Sequence, residues 1–364
     1  MQDGSISQTP SLASLRLYSQ HIAGTPFETP GEVVRWLGAV QAQDYLGALW
    51  AVGLRTRNAA EQDIEAALAN HTIVRTWPMR GTLHFVPAED ARWMLELLAR
   101  RVMAGSAARL LRQFALDEVV YAGSRDVFIR ELQGGKQLTR NALYQALEAA
   151  NISTANSRGL HILGQLAQEG LICFGPRQGK QQTIVLLDEW VPGARRLERD
   201  EALAELTRRY FTSHGPATLQ DFMWWSGLTA KEALAGLEEA KTSLVQEVFD
   251  DQTYWLSPSV TTTSEASPAA VLLPAFDEYT VAYKDRRPVT HPSIAERSDS
   301  GILVLNPVVV IDGLVIGNWK RTLKKNELLI NLLPLTPQAE DHRRHVADAA
   351  SRYAAFLGQQ LRIA

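Results

Sequence analysis

Residues 36–54 read WLGAVQAQDYLGALWAVGL, an apolar stretch interrupted by Gln41, Gln43 and Asp44. A neutral carboxamide barely gains or loses a proton, so Gln41 and Gln43 are poor general acids or bases. They can orient a water and aim carbonyl dipoles at a cation that develops during a reaction. An extended or turn backbone lets positions i and i+2 face one side. A continuous helix would splay them by about 200°. On composition alone, ordinary turn polarity is the simpler account of the two glutamines. Asp44 reads as the N-cap of a helix beginning at Tyr45.

Other groups offer less. Asp277 and Glu278 could act as an acid pair, but with Asp285, Arg286 and Arg287 nearby they read first as a structural ion network. His342 and His345 sit among arginines with no evident third ligand, so no metal is expected. The single cysteine, Cys173, allows no internal disulfide and fits a reducing cytoplasm. No Walker loop, dinucleotide fingerprint or G-x-S-x-G elbow is present, and no small-molecule cofactor is expected. The start, MQDGSISQTPSLASL, lacks the pattern of a signal peptide, and no apolar run reaches the roughly 20 residues of a membrane span. A soluble cytoplasmic protein is expected. Its formal net charge of −3 excludes a wholly basic nucleic-acid coat but not a local basic face.

These residues are positioned by a repeated order of elements. Thr29-Pro30-Gly31-Glu32 predicts a helix start, and Val33, Trp36, Leu37 and Val40 recur at helical spacing. A second helix follows Asp44, then IEAALAN, then a β-ribbon in HTIVRTWPMRGTLHFVP. Helix, turn, helix, ribbon is the order of a winged helix. It recurs over 125–187 and over 200–257, where Gly227 predicts a helix stop, Thr229 the next cap and Asp250-Asp251 a hairpin tip. VTTTSEASPAA reads as a linker, followed by β-rich sequence with a turn at Asp312-Gly313 and a closing helix over 337–361. The expected fold is α+β, with three tandem winged-helix units and a C-terminal β-rich domain plus closing helix. The expected boundaries are 11–120, 121–195, 196–258 and 268–364.

Tandem winged helices most often meet nucleic acid. In the second unit, Arg158, His161 and Gln165 lie on the expected recognition helix, and Arg177 and Lys180 on its wing. On the first ribbon, Arg75, Arg80 and His84 are candidate contacts, and Trp77 a stacking or wedging side chain. Arg286, Arg287, Lys320 and Arg321, with Lys324 and Lys325, add basic patches near the C-terminus. Each alone is as well explained as a solvated charge. The third unit carries Glu232, Glu238 and Glu239 where phosphate would lie, which predicts a scaffold.

GAVQAQDYLGALWAVGLRT, IVRTWPMRGTLHFV, LLPAFDEYTVAYKDR and VVVIDGLVIGNWKR together resemble the AlkZ/YcaQ family, bacterial tandem winged-helix proteins that include DNA glycosylases for alkylated bases. The likeness runs in order through nearly the whole chain. It is most specific at Gln41-Ala42-Gln43, where the AlkZ-like branch has glutamine at both positions and the other branch has aspartate at the second. The resemblance implies that Gln41 and Gln43 are catalytic and that the partner is double-stranded DNA. A neutral amide pair suffices only if the base leaves without protonation, which implies cationic N7- or N3-alkylpurines and extends to crosslinks through guanine N7. The first lysine in the chain is Lys136, far from the pair, so hydrolysis by water rather than through a Schiff base is expected. The competing readings are a non-enzymatic winged-helix regulator with paired half-sites, and a scaffold that does not meet nucleic acid.

Overall fold

A computed structural model of the chain describes residues 11–260, 269–297, 299–325, 327–336 and 340–363. The linker read at 260–270 falls mostly outside them.

Helix α1 (Leu12–Ser19) leads into α2 (Pro30–Leu37), which opens on a Thr29–Glu32 capping box. Gly38, at φ +75°, stops α2 short of Val40. The helical spacing had included Val40; it instead starts a short strand, β1 (Val40–Gln41). Helices α3 (Tyr45–Gly53) and α4 (Glu61–Ala69) and the ribbon β2 (Ile73–Met79) and β3 (Thr82–Pro87) complete the first helix–helix–ribbon unit. The long α5 (Ala91–Phe114) connects it to α6 (Glu118–Leu132), β4 (Leu138–Thr139), α7 (Arg140–Ala149), α8 (Arg158–Gln168), β5 (Ile172–Gln178), β6 (Gln181–Leu186) and α9 (Leu187–Trp190).

The third unit is α10 (Arg199–His214), α11 (Leu219–Ser226), α12 (Ala230–Ala240), β7 (Val245–Phe249) and β8 (Gln252–Leu256). Gly227 ends α11 in the left-handed region and Thr229 caps α12, as the sequence predicts. Then come β9 (Ala270–Leu273), α13 (Glu278–Val281), α14 (Pro292–Ala295), α15 (Ser300–Leu303), β10 (Val308–Ile311), β11 (Leu314–Lys324), β12 (Glu327–Pro334), α16 (Glu340–Phe356) and β13 (Gln360–Ile363). The closing helix predicted to 361 thus ends at Phe356, just ahead of Gly358 at φ +61°. The residues beyond form a strand parallel to β12.

Two features position the site. The first two ribbons join edge to edge at Arg75 and Phe174, giving one six-stranded sheet in the order β1-β3-β2-β5-β6-β4. The first unit also shares its core with the C-terminal sheet, ordered β13-β12-β11-β10-β9. Trp50 of α3 donates its indole N–H to Leu272 O at 2.7 Å and packs on Tyr353 and Phe356. That explains why α3 is apolar on every face: it is buried on all sides by its own unit and by α16. Among the described residues no helix is long and apolar enough to cross a membrane.

Candidate active site

The Gln41–Gln43 segment is pinned through its backbone. Gln41 sits opposite His84 in the β1–β3 ladder, and its N–H donates to Glu278 Oε1 at 2.9 Å. Ala42, fully buried, donates its N–H to Leu83 O at 2.7 Å. Its carbonyl accepts two bonds from Arg75, Nε at 3.1 Å and Nη2 at 2.7 Å. Gln43 is exposed, and its Oε1 accepts from the Leu83 N–H at 3.3 Å. Gln41 is half-buried, and its Oε1 lies buried with no hydrogen-bond partner. Such an acceptor is costly unless something donates to it. Asp44 holds the N-cap position of α3, but its side chain makes no capping bond. Its carboxylate lies over the first turn, where a Cβ on Gly47 would meet Oδ2 at 2.7 Å.

Two buried charges do the pinning. Arg75 is 8 % exposed, sits over the rings of Tyr45 and Phe174, and also donates to Gln182 Oε1 on β6. Burial lowers its pKa to about 10, so it stays charged at neutral pH. Glu278 is 1 % exposed and accepts from Gln41 N–H and from Trp225 Nε1–H at 2.9 Å, with His214 Nε2 at 3.4 Å. Burial alone would raise its pKa; His214 and Arg80 outweigh that and hold it below the usual carboxylate range. The single acidic network expected around 277–287 is three separate ones. Asp277 pairs with buried Arg55 through two bonds, Glu278 faces His214 and Trp225, and Asp285 pairs with Arg287.

Gln43 opens onto a cleft of about 550 Å³ between the first and second units. Arg75, Trp77 and Leu83 form its floor from the first ribbon; His161, Gln165 and Gln168 of α8 form one wall, and Val102, Ser106 and Arg109 of α5 another. Trp77 is half-buried and packs on Phe174 at 5.3 Å between ring centres. The described residues lining the cleft include no carboxylate and no lysine. Gln41 is not among them, so the two glutamines do not converge on this cleft through their side chains.

The predicted DNA contacts divide sharply. His84 has no exposed surface and cannot touch a duplex. Its Nδ1–H donates to Thr82 O at 2.9 Å while Nε2 faces Arg80 at 3.3 Å, and burial, reinforced by Arg80, lowers its pKa to about 3. Arg80 turns into the same interior. Arg158 donates to Ser153 O and to Phe114 and Ala115 O, closing the C-terminus of α5. Arg177 pairs with Glu65 at 2.8 Å, and Arg286 donates to Thr280 O at 2.8 Å beneath Trp224. Arg287 is held by Asp285, and Arg321 donates to Tyr353 OH. Sequence ranks arginines by charge and element; it does not show that an arginine's donors are already taken. Lys180, Lys320, Lys324 and Lys325 stay exposed, and His161 lines the cleft against Phe114. His342 and His345 belong to no metal-holding group, and none exists among the described residues. Cys173 is buried, which pushes its thiol pKa up and keeps it inert.

Sequence reasoning missed Arg109 and Arg140, both lining the cleft. It also missed Glu278 and Arg75 as the groups that fix the glutamine segment. A signal existed for Arg109: no acidic residue lies between Glu96 and Asp117.

Comparisons with known proteins agree with this architecture. The sequence model of the AlkZ-like family, described as DNA glycosylase AlkZ-like, matches residues 34–356. An interstrand DNA cross-link repair glycosylase from Streptomyces sahachiroi is 27% identical, over 92% of this chain and 94% of that protein. The solved structure of Streptomyces sahachiroi DNA glycosylase AlkZ superposes with a TM-score of 0.77 at 24% identity, covering 97% of this chain and 98% of that one.

Proposed function

Because this chain belongs to the AlkZ-like DNA glycosylase family, we propose that it hydrolyses the N-glycosidic bond of cationic alkylpurines in duplex DNA. N7-alkylguanine is the type substrate, and interstrand crosslinks through guanine N7 are included. The observation that carries this reading is the composition of the cleft beside Gln43, whose lining offers amides, aromatic rings, arginines and one histidine, His161, whose pKa burial and Arg109 lower, but neither carboxylate nor lysine. Such a site is poorly equipped to protonate a neutral base or to form a Schiff base.

A base alkylated at N7 already carries the positive charge that protonation would supply. Its bond to C1′ breaks with the electron pair going to the base, which leaves neutral, and an oxocarbenium-like sugar remains. Water adds to C1′ and releases its proton to solvent, giving an abasic site in an intact strand. Gln43 holds the water or turns its carbonyl dipole toward the sugar cation. The unpartnered Oε1 of Gln41 lies buried outside the cleft lining, so it acts as a second acceptor only when its side chain turns toward Gln43. Trp77 and Phe174 offer a stacking face for a cationic base.

Incubation with duplex containing N7-methylguanine should release the free base, and Gln43→Ala should lose release while still binding DNA. Absence of release from the unmodified protein with that lesion and with larger N7 adducts would reject the reading. A borohydride-trapped protein–DNA adduct would reject hydrolysis by water. Asp44 favours a second reading: its exposed carboxylate makes no capping bond and adjoins Gln43. If it serves as the base that activates water, Asp44→Asn should cost more single-turnover rate than Gln43→Ala.

A further inference from the structure

Most arginines that sequence assigns to DNA have their donors occupied inside the fold, so the phosphate-binding surface must be sought elsewhere. The second half of α5 is unusual. From Arg100 to Gln113 nearly every residue is exposed or half-exposed, only Leu110 being buried. The segment carries Arg100, Arg101, Arg109 and Arg112 and, from Leu97 to Leu116, no acidic residue at all. None of these four arginines has an ion-pair partner among the described residues; Arg109 makes one long contact, 3.5 Å, to Gln113.

Helical geometry sorts them. At 3.6 residues per turn, Arg101 and Arg112 lie about 20° apart around the axis and Arg109 about 60° further on. Arg109 lines the cleft, along with Val102 and Ser106 on the adjoining face, so the stripe borders the cleft at Arg109, while Arg112 and Arg101 turn outward from it, Arg101 toward the side of Glu232. The three arginines span about 17 Å at 1.5 Å per residue. That length lets the stripe follow a few successive phosphates of one strand, about one for each arginine. Arg140, the first residue of α7, faces it as an exposed cation across the same cleft.

From this geometry we infer that the exposed half of α5 is a phosphate rail, in which Arg101, Arg109 and Arg112 hold one strand of duplex DNA beside the Gln43 cleft. This builds on the proposed function by assigning the surface that presents DNA to the site. It predicts sequence-independent, salt-sensitive affinity, because backbone contacts carry no base information.

The test is the salt dependence of binding to undamaged duplex. Each lost phosphate contact lowers the slope of log K against log salt by about 0.9. The triple variant R101Q/R109Q/R112Q is expected to lose about two to three from the slope and at least tenfold in affinity near 0.15 M salt. The triple lysine variant, which keeps the charge, should retain most of the slope. Arg343→Gln, an exposed arginine on α16, is the control and should leave it unchanged. All four positions are exposed, and an unaltered melting temperature would show that folding is intact. A slope that survives R101Q/R109Q/R112Q, or that falls equally in R343Q, would overturn the rail. Failure of the functional reading shows differently, as absence of base release from the unmodified protein whatever the slopes.

Discussion

Arg75 grips the peptide between the two glutamines, and that gives it a consequence separate from charge. Its Nε and Nη2 take both lone pairs of the Ala42 carbonyl, while a third nitrogen reaches Gln182 on the second unit. Replacing it with glutamine leaves a buried carbonyl short of donors, at a cost of about 1–3 kcal/mol in stability. It also frees Gln43 to wander, and misplacement of about 1 Å can cost up to about 100-fold in rate. Arg75→Gln is therefore expected to slow single-turnover excision by about 10- to 100-fold, with Arg75→Lys recovering part of that by donating one bond. A glutamine variant at full rate would show that the segment needs no clamp. His84 makes a pH-dependent claim. Its pKa falls from 6.5 in the open chain to about 3 when folded, because burial and then Arg80 oppose its charge. Below about pH 6.5 the unfolded chain binds a proton that the folded protein refuses, so stability falls as pH falls. From pH 7 to pH 5 this one residue should remove on the order of 2 kcal/mol. Denaturant titrations of the unmodified protein and of His84→Gln should show the steeper acid loss in the former; parallel curves would place the proton elsewhere.

The helices that hold these residues were readable where a local signal marks their ends. Thr29 with Glu32, Gly227, Thr229 and the left-handed pair Asp250-Asp251 act within one turn of chain, and the structure uses each as expected. What sequence did not reveal depends on partners far along the chain. Strand β1 exists because β3, more than forty residues on, offers it a ladder, and β13 because β12 does. The Gln41 N–H meets Glu278 across 237 positions, which no local pattern encodes. The α3–α16 contact is of the same kind and can be tested by shape. A Cβ on Gly53 would lie 2.3 Å from Phe356, so Gly53→Ala must push the ring aside. Overpacking of this sort costs about 1–3 kcal/mol. Adding Phe356→Leu should return part of the loss, since the smaller side chain makes room for the methyl group. Thermal melts of the two single variants and the double variant would decide it, and strict additivity would mean that the two residues do not meet.

The molecule as a whole depends on how its first two units are joined, since the cleft takes its floor from one and a wall from the other. The junction combines polar ties with apolar packing: one strand pairing at Arg75 and Phe174, the Arg75–Gln182 contact and the Arg177–Glu65 pair, beside a shared core in which Val74 and Val86 meet Cys173, Val185 and Leu187. Glu65 also accepts from Tyr45 OH at 2.7 Å, so this carboxylate ties the second wing to the first turn of α3, beside Gln43. The Arg177–Glu65 pair is about a quarter exposed on each side, and such pairs contribute roughly 0–1 kcal/mol to folding. Its larger effect should be local, on where the second wing sits beside Gln43, because Glu65 is the group that links Arg177 to Tyr45. Glu65→Gln keeps the shape and one acceptor but removes the charge that holds Arg177. It is expected to change the melting temperature by less than about 3 °C while raising amide exchange along β5 and slowing excision about 5- to 20-fold, an effect of about 1–2 kcal/mol on the barrier. Exchange protection at β5 and a rate that both match the unmodified protein would mean the two units hold their registry through the shared sheet and core without the pair. Faster exchange without a slower rate would mean that the chemistry tolerates movement of the α8 wall and relies on the floor around Gln43.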